Sequence, residues 1–172
     1  MGTTKILLFL TIVLVIPLSA QQAGNGTQQF VDRNADYTLD LPSPTWRVLS
    51  RPDGVRRGAE FIYTDRLDGY LRVKKESIEA GSTLSDVVTR NKEQYRFKSG
   101  FIDGKQDNFA GRLSGVVATY EYTDAGKPML GLVYYLKADD QTAYILHFTG
   151  LRDKLKGIRS QTDSIARSLK TK

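Results

Sequence analysis

From Met129 to Lys137 the chain is nearly free of polar side chains, running through Leu130, Leu132, Val133, Tyr134, Tyr135 and Leu136. Turn sequences bound this run, Asp124-Ala125-Gly126 before it and Asp139-Asp140 after it. A short apolar run between turn signals reads as a strand, and a strand apolar on both sides has to be covered on both faces. Any fold for this chain must therefore place a layer of structure on each side of a sheet.

The neighbouring segments supply the rest of that sheet. Gly115 to Thr123 sets Val117, Thr119 and Glu121 opposite Val116, Ala118, Tyr120 and Tyr122, and Thr142 to Thr149 returns through Tyr144, Ile145, Leu146 and Phe148. Gln106 to Phe109 reads as a short strand before them. Upstream, Tyr37 to Leu41 alternates, Pro42 and Pro44 end it, and Trp46 and Val48 open a further short strand closed by Arg51-Pro52-Asp53-Gly54. Ala59 to Thr64 and Tyr70 to Ile78 read as a pair joined at Asp68-Gly69, residues that tolerate the positive φ of a tight hairpin. Between these groups, Leu84, Val87, Val88, Asn91 and Tyr95 fall at helical spacing. Ser82 or Thr83 is placed to cap that helix, with Asp86 in its first turn and Gly100 past its end. One closing helix is expected from Leu151, Leu155, Ile158, Thr162, Ile165 and Leu169. Its apolar stripe lacks Trp and Phe, which suits packing on a sheet rather than lying in a membrane interface. Strands without βαβ alternation indicate an antiparallel sheet. The fold class is α+β, with about six to seven strands flanked by two helices on opposite faces.

The N-terminus has the layout of a secretory signal peptide: Lys5, an apolar run from Ile6 to Ile16 broken only by Thr11, then Pro17 and Leu18-Ser19-Ala20. The run is shorter than the about 20 apolar residues that cross a bilayer. The expected organisation is a signal peptide over 1–20, a flexible polar leader over 21–35 and one α+β domain over 36–172, exported to the periplasm or exterior after cleavage near Ala20. Membrane association is expected only if that segment stays uncleaved. With no cysteine in 172 residues, thiolate metal sites, disulfides and cysteine nucleophiles are excluded together. The formal charge is +6, with basic residues denser at Arg51 and Arg56-Arg57, at Lys74-Lys75 and from Arg152 to Lys172. Acidic groups are interleaved throughout, so these read as solvated faces, and no aromatic-basic pattern points to nucleic acid.

The inventory of chemistry is thin. His147 is the sole histidine and sits between Leu146 and Phe148 in a strand, which suits a structural imidazole better than a base or a metal ligand. Serine-nucleophile signatures and glycine-rich phosphate loops are missing. Asp139-Asp140 reads as a turn, and Asp103 with Asp107 lacks the spacing of a calcium loop. Tyr120, Tyr122, Tyr134, Tyr135 and Tyr144 cluster in the later strands and read as core, any uncovered one being a natural binding surface. Trp46 reads as a lid on the core. No catalytic, cofactor-binding or metal residue is assigned, and no cofactor is expected.

The order of elements resembles the PsbP family and its relatives, among them bacterial PsbP-like and DcrB-like exported proteins and the Mog-type Ran-binding proteins. The resemblance runs from about Tyr37 to Leu169 and rests on Leu41-Pro42 followed by Trp46, the hairpin from Phe61 to Val73, the helix from Leu84, three long strands and the closing helix. It implies an α/β/α sandwich around an antiparallel sheet and an accessory or binding role. The chain lacks the long loops of the photosynthetic members, and their metal-associated residues find no match, so no site residue is carried over. The expected function is that of an exported, non-catalytic accessory protein binding another protein or an envelope component. A small-molecule or lipid carrier with a pocket between sheet and helix, and a hydrolase of unrecognised type, stay open beside it.

Overall fold

The structure is a computed structural model, described for residues 26–53, 55 and 58–172. The expected signal segment, its cleavage point, Gly54 and Arg56-Arg57 lie outside the described residues.

The strands are β1 (Gln28–Phe30), β2 (Tyr37–Leu41), β3 (Trp46–Ser50), β4 (Glu60–Tyr63), β5 (Asp65–Ser77), β6 (Ile102–Ala110), β7 (Ser114–Asp124), β8 (Lys127–Lys137), β9 (Thr142–Leu151) and β10 (Lys170–Thr171). The helices are α1 (Leu84–Tyr95), α2 (Arg152–Gly157) and α3 (Arg159–Ser168). Seven strands form one antiparallel sheet in the order β3-β4-β5-β9-β8-β7-β6, and β1, β2 and β10 form a second, small one. No helix among the described residues is long and apolar enough to cross a membrane.

β8 occupies the interior of the large sheet, between β7 and β9. Its Leu132 to Leu136 stretch is fully buried, as its composition requires. Side chains alternate between two apolar layers. On one face Leu132, Tyr134 and Leu136 join Leu71, Val73, Leu146, Phe148 and Val117, covered by Leu155, Ile158, Ile165 and Leu169 of the C-terminal helices and by the small sheet. On the other, Val133 and Tyr135 join Ala118, Tyr120, Tyr122, Ala143 and Ile145 beneath Val87 and Val88 of α1. Burying a large aliphatic side chain in either layer contributes about 1.5–3 kcal/mol. The architecture is the expected α+β sandwich around an antiparallel sheet.

α1 starts where a capping box closes it. The Asp86 N–H donates to Thr83 Oγ1 at 3.4 Å, and the Thr83 N–H donates to Asp86 Oδ2 at 2.6 Å. Hydrogen bonding from Thr83 holds the Asp86 carboxyl below its ordinary range. Gly100, at φ +62°, turns the chain out of the helix region toward β6.

Several expectations need correction. The chain reverses between β4 and β5 at Thr64, φ +60°, and not at Asp68-Gly69. Tyr63 faces Asp65 while Ile62 faces Tyr70, so residues 66–69 bulge from the ladder. Gly69 packs closely there: a Cβ would lie 3.0 Å from Ile158 Cδ1 and 3.1 Å from Tyr63 Cβ, so a larger residue would push on both. The closing helix is two helices. Ile158 leaves helical geometry at φ −106° and ψ 18°, directly after Gly157, the residue type of lowest helix propensity after proline. Beyond the break, Gln161 Oε1 accepts from Trp46 Nε1 at 3.1 Å and from Ser43 Oγ at 3.2 Å, fixing where α3 begins. Trp46 is fully enclosed core, not a lid. The leader expected over 21–35 is structured in its described part, because β1 pairs with β2 and buries Phe30 and Ala35. The strand expected over Gln106–Phe109 begins earlier, at Ile102.

Candidate functional site

β6 is the outermost strand on one side of the large sheet and pairs only with β7. Its ladder is regular at both ends and broken in the middle. Asp103 faces Tyr120 and Gln106 faces Ala118, so Gly104 and Lys105 together oppose Thr119 alone. That is a β-bulge, two residues against one. Thr119 Oγ1 builds it, accepting from the Lys105 N–H at 3.0 Å and donating to the Lys105 carbonyl at 3.3 Å. A Cβ on residue 104 would overlap Thr119, so only glycine fits.

The extra residue inverts side-chain parity along the strand. Ile102, across from Glu121, lies on the α2–α3 face; Asp103, across from Tyr120, lies on the α1 face; Asp107, across from Val117, is back on the α2–α3 face. The two carboxylates noted in the sequence are therefore on opposite sides of the sheet. Asp103 pairs with Lys92 of α1 at 2.8 Å.

The corner between α2 and α3 stands away from this edge and leaves an open groove of about 610 Å³. Leu130, Thr119 and Tyr120 line it beside Ile102, Gly104 and Lys105 of β6, with Lys156 and Arg159 on the helical side. Glu121 lies within it but is already engaged by Arg152 at 3.3 Å and Lys156 at 3.4 Å, and Arg159 pairs with Asp163 at 3.3 Å. Lys105 is in no ion pair among the described residues. Ile102, 62% exposed, is the large aliphatic side chain on this rim.

Beneath α1 the aromatic residues fill their space. Tyr95 stacks on Tyr120 with centroids 4.7 Å apart, and Tyr122 and Phe101 extend the stack. The Tyr120 hydroxyl lies 2.7 Å from His147 Nε2. His147 is half-buried, and burial pushes its pKa down to about 3, helped by Lys98, Lys74 and Arg72. A neutral imidazole there accepts from Tyr120, and no carboxylate among the described residues bonds to it. Burial raises the Tyr95 phenol to about 12 and lifts Tyr120 and Tyr135 well above the ordinary phenol range. Space enclosed among Tyr95, Phe101, Tyr120 and Tyr135 is about 10 Å³, room for roughly one water. Tyr134 is likewise core, its hydroxyl bonded to Asp163 and, at 3.1 Å, to Thr162.

The candidates raised by the sequence thus separate. His147 lies against Tyr95 and Tyr120, the tyrosines clustered in the later strands are buried in the two layers, Asp140 pairs with Lys137 at 2.6 Å beside the β8–β9 turn, and Asp139 caps that turn through the Gln141 N–H. Among the described residues no three His, Cys, Asp or Glu side chains gather as a metal site. The groove residues Ile102, Lys105 and Thr119 belong to no motif that marks a site in the sequence. The available signal is Gly104, a glycine inside a strand, which often marks a bulge.

No protein-family model matches the chain, and no curated protein matches it. Solved structures do. The cyanobacterial PsbP, CyanoP, from Synechocystis sp. PCC 6803 aligns with a TM-score of 0.54 at 17% identity, over 90% of this chain and 98% of that one. LpqN, involved in cell envelope biogenesis of Mycobacterium tuberculosis, aligns at 0.55 and 15% identity, over 86% of this chain and 93% of that one. A Mog1 mutant aligns at 0.61 and 9% identity, over 85% of this chain and 96% of that one. This chain spans only 49% of a longer match from Bacteroides thetaiotaomicron. At such identities the likeness defines the fold, and the chain has the PsbP/Mog-like fold.

Proposed function

We propose that this is an exported, non-catalytic accessory protein that binds another protein or an envelope component through the groove between β6 and the α2–α3 corner. The observation that carries the reading is the pairing of an uncovered sheet edge with an open groove that holds an exposed aliphatic anchor, Ile102, and a lysine, Lys105, in no ion pair among the described residues. Small clusters of apolar anchors ringed by polar groups are where binding energy concentrates. The PsbP/Mog-like fold supports this by analogy, as does the likeness to LpqN, an envelope-biogenesis protein. A carrier is less well supported, since the space between sheet and α1 is about 10 Å³, and the groove of about 610 Å³ at the α2–α3 corner is open along the sheet edge rather than enclosed as a small-molecule site is.

The test is affinity capture from detergent-solubilised envelope extract with the wild-type protein and with Ile102→Asp. Ile102 is exposed, so the variant should keep its unfolding midpoint. The reading expects a reproducible partner on the wild type that is lost on the variant. Recovery of the same partner by both proteins would move the site elsewhere, and repeated recovery of nothing would remove the accessory-binder reading.

A further inference from the structure

We propose that the occupant of the groove is an extended segment of a partner protein, carboxylates alternating with aliphatic side chains, which adds to β6 as an eighth strand. The inference rests on the groove reading above and specifies its ligand.

Three observations lead to it. β6 is nine residues long, eight of them exposed, and no strand among the described residues pairs with its outer edge. The opposite edge strand, β3, has five residues. Unpaired edge N–H and C=O groups are a template for an incoming strand. The far end of β6 is closed, because Arg167 donates to the Ala110 carbonyl and covers the Phe109 ring at 5.0 Å. The free stretch is therefore Ile102 to Asn108, of which Ile102 to Lys105 line the groove.

Charge selects the occupant. The acidic groups that line the groove are spent, Asp103 on Lys92 and Glu121 on Arg152 and Lys156; Asp107, further along β6, is in no ion pair among the described residues, so the selection is made at the Ile102–Lys105 end. On the other wall Lys156 shares Glu121 with Arg152, and Arg159 pairs with Asp163, so Lys105, in the bulge and exposed, is the groove cation with no ion-pair partner among the described residues. A lysine and a bulge deter indiscriminate pairing at an edge. A strand carrying carboxylates converts that deterrent into an attraction, and complementary charge sets which partners are accepted. Ile102 and Leu130 then offer apolar surface to the aliphatic side chains between the carboxylates.

The test titrates the full ¹⁵N-labelled chain with an acetylated nonapeptide alternating Glu and Val, and separately with its Lys and Val counterpart. The proposal expects shift changes at residues 102–108, Thr119 and Leu130, and slowed amide exchange along β6, with the acidic peptide alone. Lys105→Glu should weaken that binding by about tenfold or more. No perturbation at any soluble concentration, equal binding of the basic peptide, or perturbation centred elsewhere overturns it. Protection of β6 in a concentration-dependent dimer without peptide overturns it in favour of a second copy. If capture still depends on Ile102 while the acidic peptide leaves β6 amides unprotected, the groove reading survives and strand addition fails.

Discussion

Gly131 decides whether the aromatic layer under α1 can assemble. It faces Tyr120 across the β7–β8 ladder, and a Cβ there would overlap the Tyr120 ring. With the ring seated over the glycine, its hydroxyl reaches His147. Gly131→Ala should destabilise the fold by about 1–3 kcal/mol through overpacking, read as a lowered urea midpoint. An unchanged midpoint would mean that the stack repacks freely. His147 gives a second prediction at this scale. Its folded pKa is held near 3, whereas an unfolded histidine titrates near 6.5. Below about 6.5 the unfolded chain therefore binds a proton that the folded chain refuses, and stability falls as pH is lowered toward 3. A single group gives at most about 1.4 kcal/mol per pH unit. Between pH 7 and 5, above the main carboxylate range, His147→Gln should flatten the decline in stability. An equal slope in both proteins would assign the pH dependence to other groups.

Elements whose own pattern closes between turn residues were legible in the sequence. β7, β8 and β9 announce themselves by alternation and apolar runs, and α1 by its stripe and cap. Thr83→Ala, which removes the acceptor of the Asp86 N–H, should cost about 1 kcal/mol and increase amide exchange in the first turn of α1. Ser82→Ala should leave both unchanged, because Ser82 is not the capping residue. Elements defined by partners were not legible. β1 and β10 have three and two residues and exist because β2 pairs with both. The break at Ile158 interrupts a stripe that never loses its period, since Leu155, Ile158, Thr162, Ile165 and Leu169 are all buried as the spacing requires. The candidate site was hidden by the bulge, because an inserted residue erases the alternation by which Ile102 to Asp107 would have been read as one strand.

At the scale of the molecule, β2 joins the two ends of the described chain. On one side it pairs with β1; on the other it pairs with β10, and the Lys172 N–H donates to the Asp36 carbonyl at 2.9 Å. Lys172 Nζ also donates to the carbonyls of Asp32 at 2.5 Å and Ala35 at 2.7 Å. Phe30 sits edge-on to Phe61 with centroids 5.0 Å apart, extending the core layer beyond the large sheet. The folded unit therefore starts before residue 36, and the segment that reads by composition as a polar leader contributes to stability from Gln28 onward. A chain begun at Gln21 should unfold at the urea midpoint of the longest folded form. A chain begun at Tyr37 loses β1, Phe30 and the acceptors of Lys172, and should unfold at clearly lower urea. Phe30→Ala in the longer chain isolates the apolar part of that loss, expected at about 3–5 kcal/mol for a buried phenylalanine. Equal midpoints for the chains begun at Gln21 and Tyr37 would mean that β1 adds nothing and that the sandwich is complete from β2.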